Sequence, residues 1–257
     1  QSFYADVVGW DMGQVSMPGT TYTLFSVGDT PVGGLMELPN DARDMGTKPH
    51  WIGYLGVDDV DATNDRIVQL GGAVHVPPTD IPNVGRFSIV ADPQMATLAL
   101  MEWLQPGQER HVEPDTLGRV GWHELLAVDW KKAFAFYGEL FGWQKAEAFV
   151  GARGTYQRFS AGGQTIGGMV TKPPQMPLPF WLYYFKIGDI DGAAKRVKIG
   201  GGQIINGPVE VPGGSWIIHC TDPQGAMFAL VGTRSPKAMG FFEPLASRGS
   251  WRKRSVG

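Results

Sequence analysis

Between Trp130 and Phe141 apolar side chains recur at helical spacing. Ala133, Phe136, Tyr137, Leu140 and Phe141 fall together, and Gly142 stops the run. The pattern then changes to short apolar stretches separated by glycine-rich turns, which predicts strands over 143–149, 155–160 and 165–170. A proline-rich connection (KPPQMPLP, 172–179) leads to a strand over 181–187 and a helix over 190–199 closed by three glycines. Strands over 203–205, 216–220 and 227–231 complete the series, and a strand-like segment, Val120 to Val128, precedes the first helix. The order is βαβββ followed by βαβββ. Strands outnumber helices without regular βαβ winding, so the expected class is α+β with an antiparallel-rich sheet.

The same pattern occurs earlier in the chain. FYADVVGW (Phe3 to Trp10) returns as FYGELFGW (Phe136 to Trp143), an offset of 133. Thr21-Tyr22, Phe25-Ser26 and Gly33-Gly34 return at an offset of 134 as Thr155-Tyr156, Phe159-Ser160 and Gly167-Gly168. Trp51, VDDVDA, Gly71-Gly72 and Asp92-Pro93-Gln94 return at an offset of 130 as Trp181, IGDIDG, Gly201-Gly202 and Asp222-Pro223-Gln224. Two small length changes thus bring about a hundred residues into register, which makes the chain a tandem duplication. The expected organisation is a first domain over 1–104, a polar linker over 105–118, a second domain over 119–232 and a tail over 233–257. The equivalent of Val120 to Val128 would lie before residue 1. The first copy is therefore expected to lack its opening strand, and the natural chain to start earlier, because a free sheet edge is a liability.

The helix signature AFYGELFGW (Ala135 to Trp143), VDDVDA with its following glycine pair, and the turn DPQGA (Asp222 to Ala226) occur in an order that resembles the vicinal oxygen chelate superfamily. That superfamily includes glyoxalase I, extradiol dioxygenases and bleomycin- and fosfomycin-resistance proteins. The WHEL opening (Trp122 to Leu125) and PPTDIPNVGRF (Pro77 to Phe87) are similar to two-domain, glyoxalase-like proteins of actinobacteria and related bacteria. The resemblance implies two βαβββ modules per domain, forming a U-shaped sheet around a pocket that commonly holds a divalent metal. Its ligands would be His or Glu on the first and last strands of the modules. Counting from the motifs places Trp122, Leu182 and Ala229 there in the second copy, and Ile52 and Ala99 in the first. None offers the lone pair a metal needs, so neither metal nor cofactor is expected.

Composition narrows the field further. A net charge of −3 and a pI near 6.0 argue against nucleic acid as a partner. The basic run Arg248, Arg252, Lys253, Arg254 is expected to be a solvated tail. Cys220 is the single cysteine, so disulfides and cysteine-rich zinc sites are excluded and a cytoplasmic setting is expected. No apolar run approaches the roughly 20 residues of a membrane helix, and no signal-peptide pattern opens the chain. Thirty-six glycines and nine tryptophans fit short strands curling around cavities.

Alternation along the opening strand would turn Glu124 into the cavity beside Trp122 and His123 toward the helix; a slip of one residue would exchange them. A carboxylate among aromatic walls suits a general base or an acceptor for a cationic or hydroxylic ligand. It would equally suit an ion pair with Lys186, which alternation from Leu182 also turns inward. Tyr184 and its counterpart Tyr54 are expected to line the two pockets. Arg86 and Trp216 correspond, one suited to an anion and the other to an apolar face. His50 and His219 lack partners at ligand spacing and are expected to be structural. The leading expectation is a metal-independent binder of an apolar or aromatic small molecule. The alternatives are an enzyme (lyase, isomerase or hydroxylase-like) acting through Glu124 and Tyr184 or an unconventional metal, and an interaction protein whose copies pack as a pseudo-dimer, within a monomer or a homodimer.

Overall fold

The computed structural model describes residues 2–17, 20–104, 116–151 and 154–234, so most of the linker and nearly all of the tail, including its basic run, lie outside the described residues. The first copy contains α1 (Ser2–Val8), β1 (Asp11–Met17), β2 (Thr20–Val27), β3 (Thr30–Leu35), α2 (Asn40–Asp44), β4 (Tyr54–Gly56), α3 (Val60–Gln69), β5 (Ala73–Ile81), β6 (Gly85–Ala91) and β7 (Thr97–Trp103). The second contains β8 (Val120–Ala127), α4 (Trp130–Phe141), β9 (Gln144–Gly151), β10 (Gly154–Ala161), β11 (Gln164–Thr171), β12 (Phe180–Asp189), α5 (Ile190–Ile199), β13 (Gln203–Glu210), β14 (Trp216–Thr221) and β15 (Met227–Thr233). The class is α+β, as the periodicity predicts.

Local chemistry explains the helix limits. The Asp129 side chain caps α4 by accepting from the Lys131 and Lys132 N–H groups, and Gly142 ends it in the left-handed region at φ 70°. Asp59 and Asp189 cap α3 and α5 in the same way. Strand β13 runs well beyond the expected 203–205, through Gly207 and Pro208. It lies at the sheet edge, where a proline removes no ladder bond that the fold needs.

The two copies differ in how their sheets close. The second forms one eight-stranded sheet, β13-β14-β15-β12-β8-β11-β10-β9, in which β8 joins the modules by pairing parallel to β11 and antiparallel to β12. In the first copy no strand stands in the place of β8 among the described residues, and the sheet falls into β1-β2-β3 and β4-β7-β6-β5. The helices cover one side. There a single core gathers Phe3, Tyr4, Trp10 and Phe25 from the first copy with Phe185, Ile187, Ile218 and Phe228 from the second. His123 belongs to this side: its ring meets Tyr183 edge-on at 6.0 Å and Nδ1 lies 3.0 Å from the Ile166 carbonyl oxygen, so Nδ1 carries the proton. Cys220 is fully buried here, and burial pushes its thiol up to about 12, leaving it inert.

The repeated motifs meet across the copies. Tyr137 of α4 donates its hydroxyl proton to Asp92 Oδ2 (3.2 Å) and accepts from the Trp181 indole N–H (3.1 Å). Its counterpart Tyr4 donates to Asp222 Oδ2 (3.0 Å) and accepts from the Trp51 N–H (2.8 Å). In each DPQ turn the other aspartate oxygen accepts two backbone N–H groups, from Gln94 and Ala96 or from Gln224 and Ala226. Gln94 adds a third crossing: it accepts from the Asp129 N–H and donates to the Asp129 carbonyl, at the start of α4. Each copy's first helix is thereby fixed to the other copy's last turn. Burial holds the Asp92 carboxyl above the ordinary carboxylate range, and burial and the facing carboxylates keep both tyrosines protonated.

Removing one bridging hydroxyl leaves an indole N–H and a carboxylate oxygen short of a partner inside the core. Tyr137→Phe and Tyr4→Phe are each expected to cost about 1 to 3 kcal/mol in urea unfolding, and the double variant about the sum, because the two bridges share no residue. A double variant no less stable than either single one would contradict this. His123 gives a second expectation. Burial lowers its pKa below the ordinary 6.5, so below that pH the unfolded chain binds a proton that the folded chain refuses, and stability falls with acidification. Unfolding measured from about pH 7.5 to about 5 should show a shallower acid slope in His123→Gln than in the parent; an unchanged slope would refute the assignment.

Candidate functional site

Strand β8 presents Trp122, Glu124 and Leu126 to the side away from the helices. There the second copy has a separate apolar cluster: Leu126, Leu182, Tyr184 and Ala229 are buried, with Trp122, Val170, Phe180 and Ile217 packed against them. Register sets Glu124 between Gly168 of β11 and Leu182 of β12. A Cβ on Gly168 would overlap the Tyr156 ring, so the glycine lets that ring cross β11 from β10 and reach β8.

Two phenols converge on one oxygen. Tyr156 and Tyr184 each donate to Glu124 Oε2 at 3.0 Å. Tyr156 accepts from the Trp122 indole N–H at 2.7 Å. The Tyr184 hydroxyl lies 2.9 Å from His219 Nε2. With the single Tyr184 proton directed at Glu124, His219 must donate, which assigns its proton to Nε2. The result is two relays, Trp122 to Tyr156 and His219 to Tyr184, ending on the same carboxylate. Burial and then the Glu124 charge raise the Tyr156 pKa well above the ordinary phenol range, so the residue remains a donor. A carboxylate so held is an oriented acceptor in an apolar wall, able to bind a ligand hydroxyl or, with His219, to move a proton.

The other candidate residues separate into two groups. Lys186 follows Tyr184 by two residues on β12, opposite Val231 at the rim of the apolar cluster, while the phenols supply the bonds that orient Glu124. Tyr54 is 49 % exposed on β4, in the place of Tyr184. Its phenol is raised by burial and by Tyr22, the counterpart of Tyr156, so the two phenols approach each other in the first copy as well. Ile89 stands where His219 does.

Arg86 and Trp216 do not line either helix-free face, contrary to expectation. Each shares a strand face with a residue two positions on that packs toward the helices, Ser88 against Asn64 and Ile218 in the common core. Arg86 bonds Asp61 and Asp80, at 2.7 Å each, and is committed to the surface around α3. The Trp216 ring carries the guanidinium of Arg234 at 4.4 Å, itself paired with Asp191. Tyr156 and His219, by contrast, are site members that sequence reasoning missed. The signal for Tyr156 was the repeated Thr-Tyr pair facing a repeated Gly-Gly; for His219 it was its alternation with Trp216 and Ile218.

The positions at which the resemblance would put metal ligands, Trp122, Leu182 and Ala229, hold an indole and alkyl groups. Among the described residues no three His, Cys, Asp or Glu side chains come together in a way that could hold a metal ion.

The family model described as Glyoxalase/Bleomycin resistance protein/Dioxygenase superfamily matches residues 2–100 and 119–230. CFP32 of Mycobacterium tuberculosis, described as a candidate glyoxylase, is 31% identical over 237 residues, covering 90% of this chain and 88% of its own length. The anthracycline biosynthesis protein DnrV of Streptomyces peucetius is 31% identical over 260 residues, covering 93% and 90%. Among solved structures, homoprotocatechuate 2,3-dioxygenase of Brevibacterium fuscum in complex with 3,4-dihydroxyphenylacetate superposes with a TM-score of 0.62 at 13% identity, covering 91% of this chain and 76% of that one. The Mn(II)-bound glyoxalase from Novosphingobium aromaticivorans gives 0.58 at 15%, covering 91% and 77%. At such identities the structural likeness concerns the fold alone. With both of its copies matched by the family model and relatives aligned along nearly its whole length, the chain belongs to the glyoxalase/bleomycin resistance protein/dioxygenase superfamily.

Proposed function

We propose that the protein binds a planar, aromatic, hydroxyl-bearing small molecule on the helix-free face of its second copy, without the divalent metal common in this fold. The observation that carries this reading is the convergence of two phenol O–H groups on Glu124 inside an otherwise apolar wall. An ionised carboxylate only accepts, so in this wall it selects a ligand that can offer it a hydroxyl proton. The surrounding Leu, Phe and Trp side chains supply the dispersion and desolvation that a ring system needs. Two relatives are named anthracycline biosynthesis proteins, and anthracyclines are fused-ring hydroxylated aromatics, the class this wall suits.

A second reading, proton transfer at the same place, is favoured by the His219–Tyr184–Glu124 chain of exchangeable protons. The two readings share the site and differ in whether the ligand leaves changed.

Naphthol serves as a neutral probe. Replacing a charged acceptor by a neutral one weakens a hydrogen bond by about 1 to 2 kcal/mol, so Glu124→Gln should lower naphthol affinity about tenfold in calorimetry; the Tyr156 and Tyr184 bonds weaken too, and the variant's fold is checked by its unfolding before titration. Equal affinity in parent and variant would sink the binding reading. A product that forms from a bound aromatic with the parent protein and not with Glu124→Gln would favour proton transfer instead.

A further inference from the structure

Arg158 follows Tyr156 on the same face of β10, and nothing in the reading above uses it. Its guanidinium lies over two rings, 5.8 Å from the centre of Trp122 and 5.6 Å from that of Phe149. Nη1 reaches Glu147 at 3.4 Å, and the Glu147 side chain is 71% exposed, a geometry that contributes little. Nε is buried and has no hydrogen-bond partner among the described residues. Buried donors without an acceptor are rare enough that each requires a reason. The charge is also peculiar to the second copy, because Leu24 occupies the equivalent place on β2. The Trp122 ring beneath Arg158 gives its N–H to Tyr156, which gives its own proton to Glu124, so arginine and carboxylate flank one continuous surface.

We propose that Arg158 is an anion-recognition residue of this site, and that the ligand is therefore an aromatic acid. Its carboxylate or similar oxyanion would sit on Arg158 while its hydroxyl donates to Glu124. The proposal rests on the reading of this face as a ligand site. Along one edge of an arginine, Nε–H and an Nη2–H form the fork that matches a carboxylate. With Nη1 turned toward Glu147, that edge is the one available to a ligand. Trp122 and Phe149 hold the guanidinium plane and shed its water, which strengthens pairing with an incoming anion. Glu147 then acts as a weak placeholder that the ligand displaces.

The test compares hydroxynaphthoate with hydroxynaphthamide, alike in shape and different in charge, by calorimetry on the full chain. The parent should prefer the naphthoate by about tenfold or more. Arg158→Leu, which installs the first copy's residue, should remove that preference, lowering naphthoate affinity far more than amide affinity. Glu147→Gln changes only an exposed side chain and should tighten the naphthoate by about two- to fivefold by removing its competitor. Equal binding of both probes to the parent, or parallel loss of both in Arg158→Leu with no gain in Glu147→Gln, would overturn the proposal. If the amide still responded to Glu124→Gln, the binding reading would survive that failure; if neither probe bound the parent, both would fall.

Discussion

A tyrosine hydroxyl that takes an N–H proton from an indole and gives its own to a carboxylate is the interaction on which this molecule turns. Among the described residues it occurs three times: Trp51–Tyr4–Asp222, Trp181–Tyr137–Asp92 and Trp122–Tyr156–Glu124. A carboxylate withdrawn from water is costly unless donors surround it, and an indole N–H is costly unless it finds an acceptor. The hydroxyl serves both, and the three-part relay is self-satisfying in an apolar setting. In two places the relay joins one copy's first helix to the other copy's last turn, so that the duplication folds as one core. In the third it lies on the opposite side of the sheet, where the same economy leaves a carboxylate oriented toward whatever occupies that face.

Duplication and divergence are therefore visible in the same residues. The two interface relays are kept in both copies, because each copy's packing needs its partner's aspartate. The helix-free faces have separated. Tyr22 and Tyr54 persist in the first copy, but Ile89 and Leu24 stand where the second has His219 and Arg158, and the sheet is divided where β8 would run.

Much of this was legible in the sequence, and the part that was not has a physical cause. The helix over 130–141 and its Gly142 stop follow from apolar spacing and a capping aspartate, both local. The opposed facing of His123 and Glu124 follows from alternation within one strand. Arg86 and Trp216 were expected in the pockets because they correspond to each other, yet which face they take depends on pairing. Once His219 is known to lie opposite Ala229, Trp216 three residues away must point to the other side. Tyr156 was missed for a related reason. Its reach to Glu124 crosses an intervening strand and depends on a glycine there, a relation among three strands that no single stretch of sequence displays. The DPQ turns were recognised as repeats, but their partners lie more than forty or two hundred residues away.

Calorimetric titration of naphthol into protein stripped of divalent ions and then resupplied with Mn²⁺ or Zn²⁺ addresses the central claim, that the relay-held Glu124 face binds its ligand without a metal. The account predicts the same affinity in the stripped and resupplied protein and no stoichiometric uptake of either ion. Binding that vanishes on stripping and returns with one equivalent of metal would contradict it.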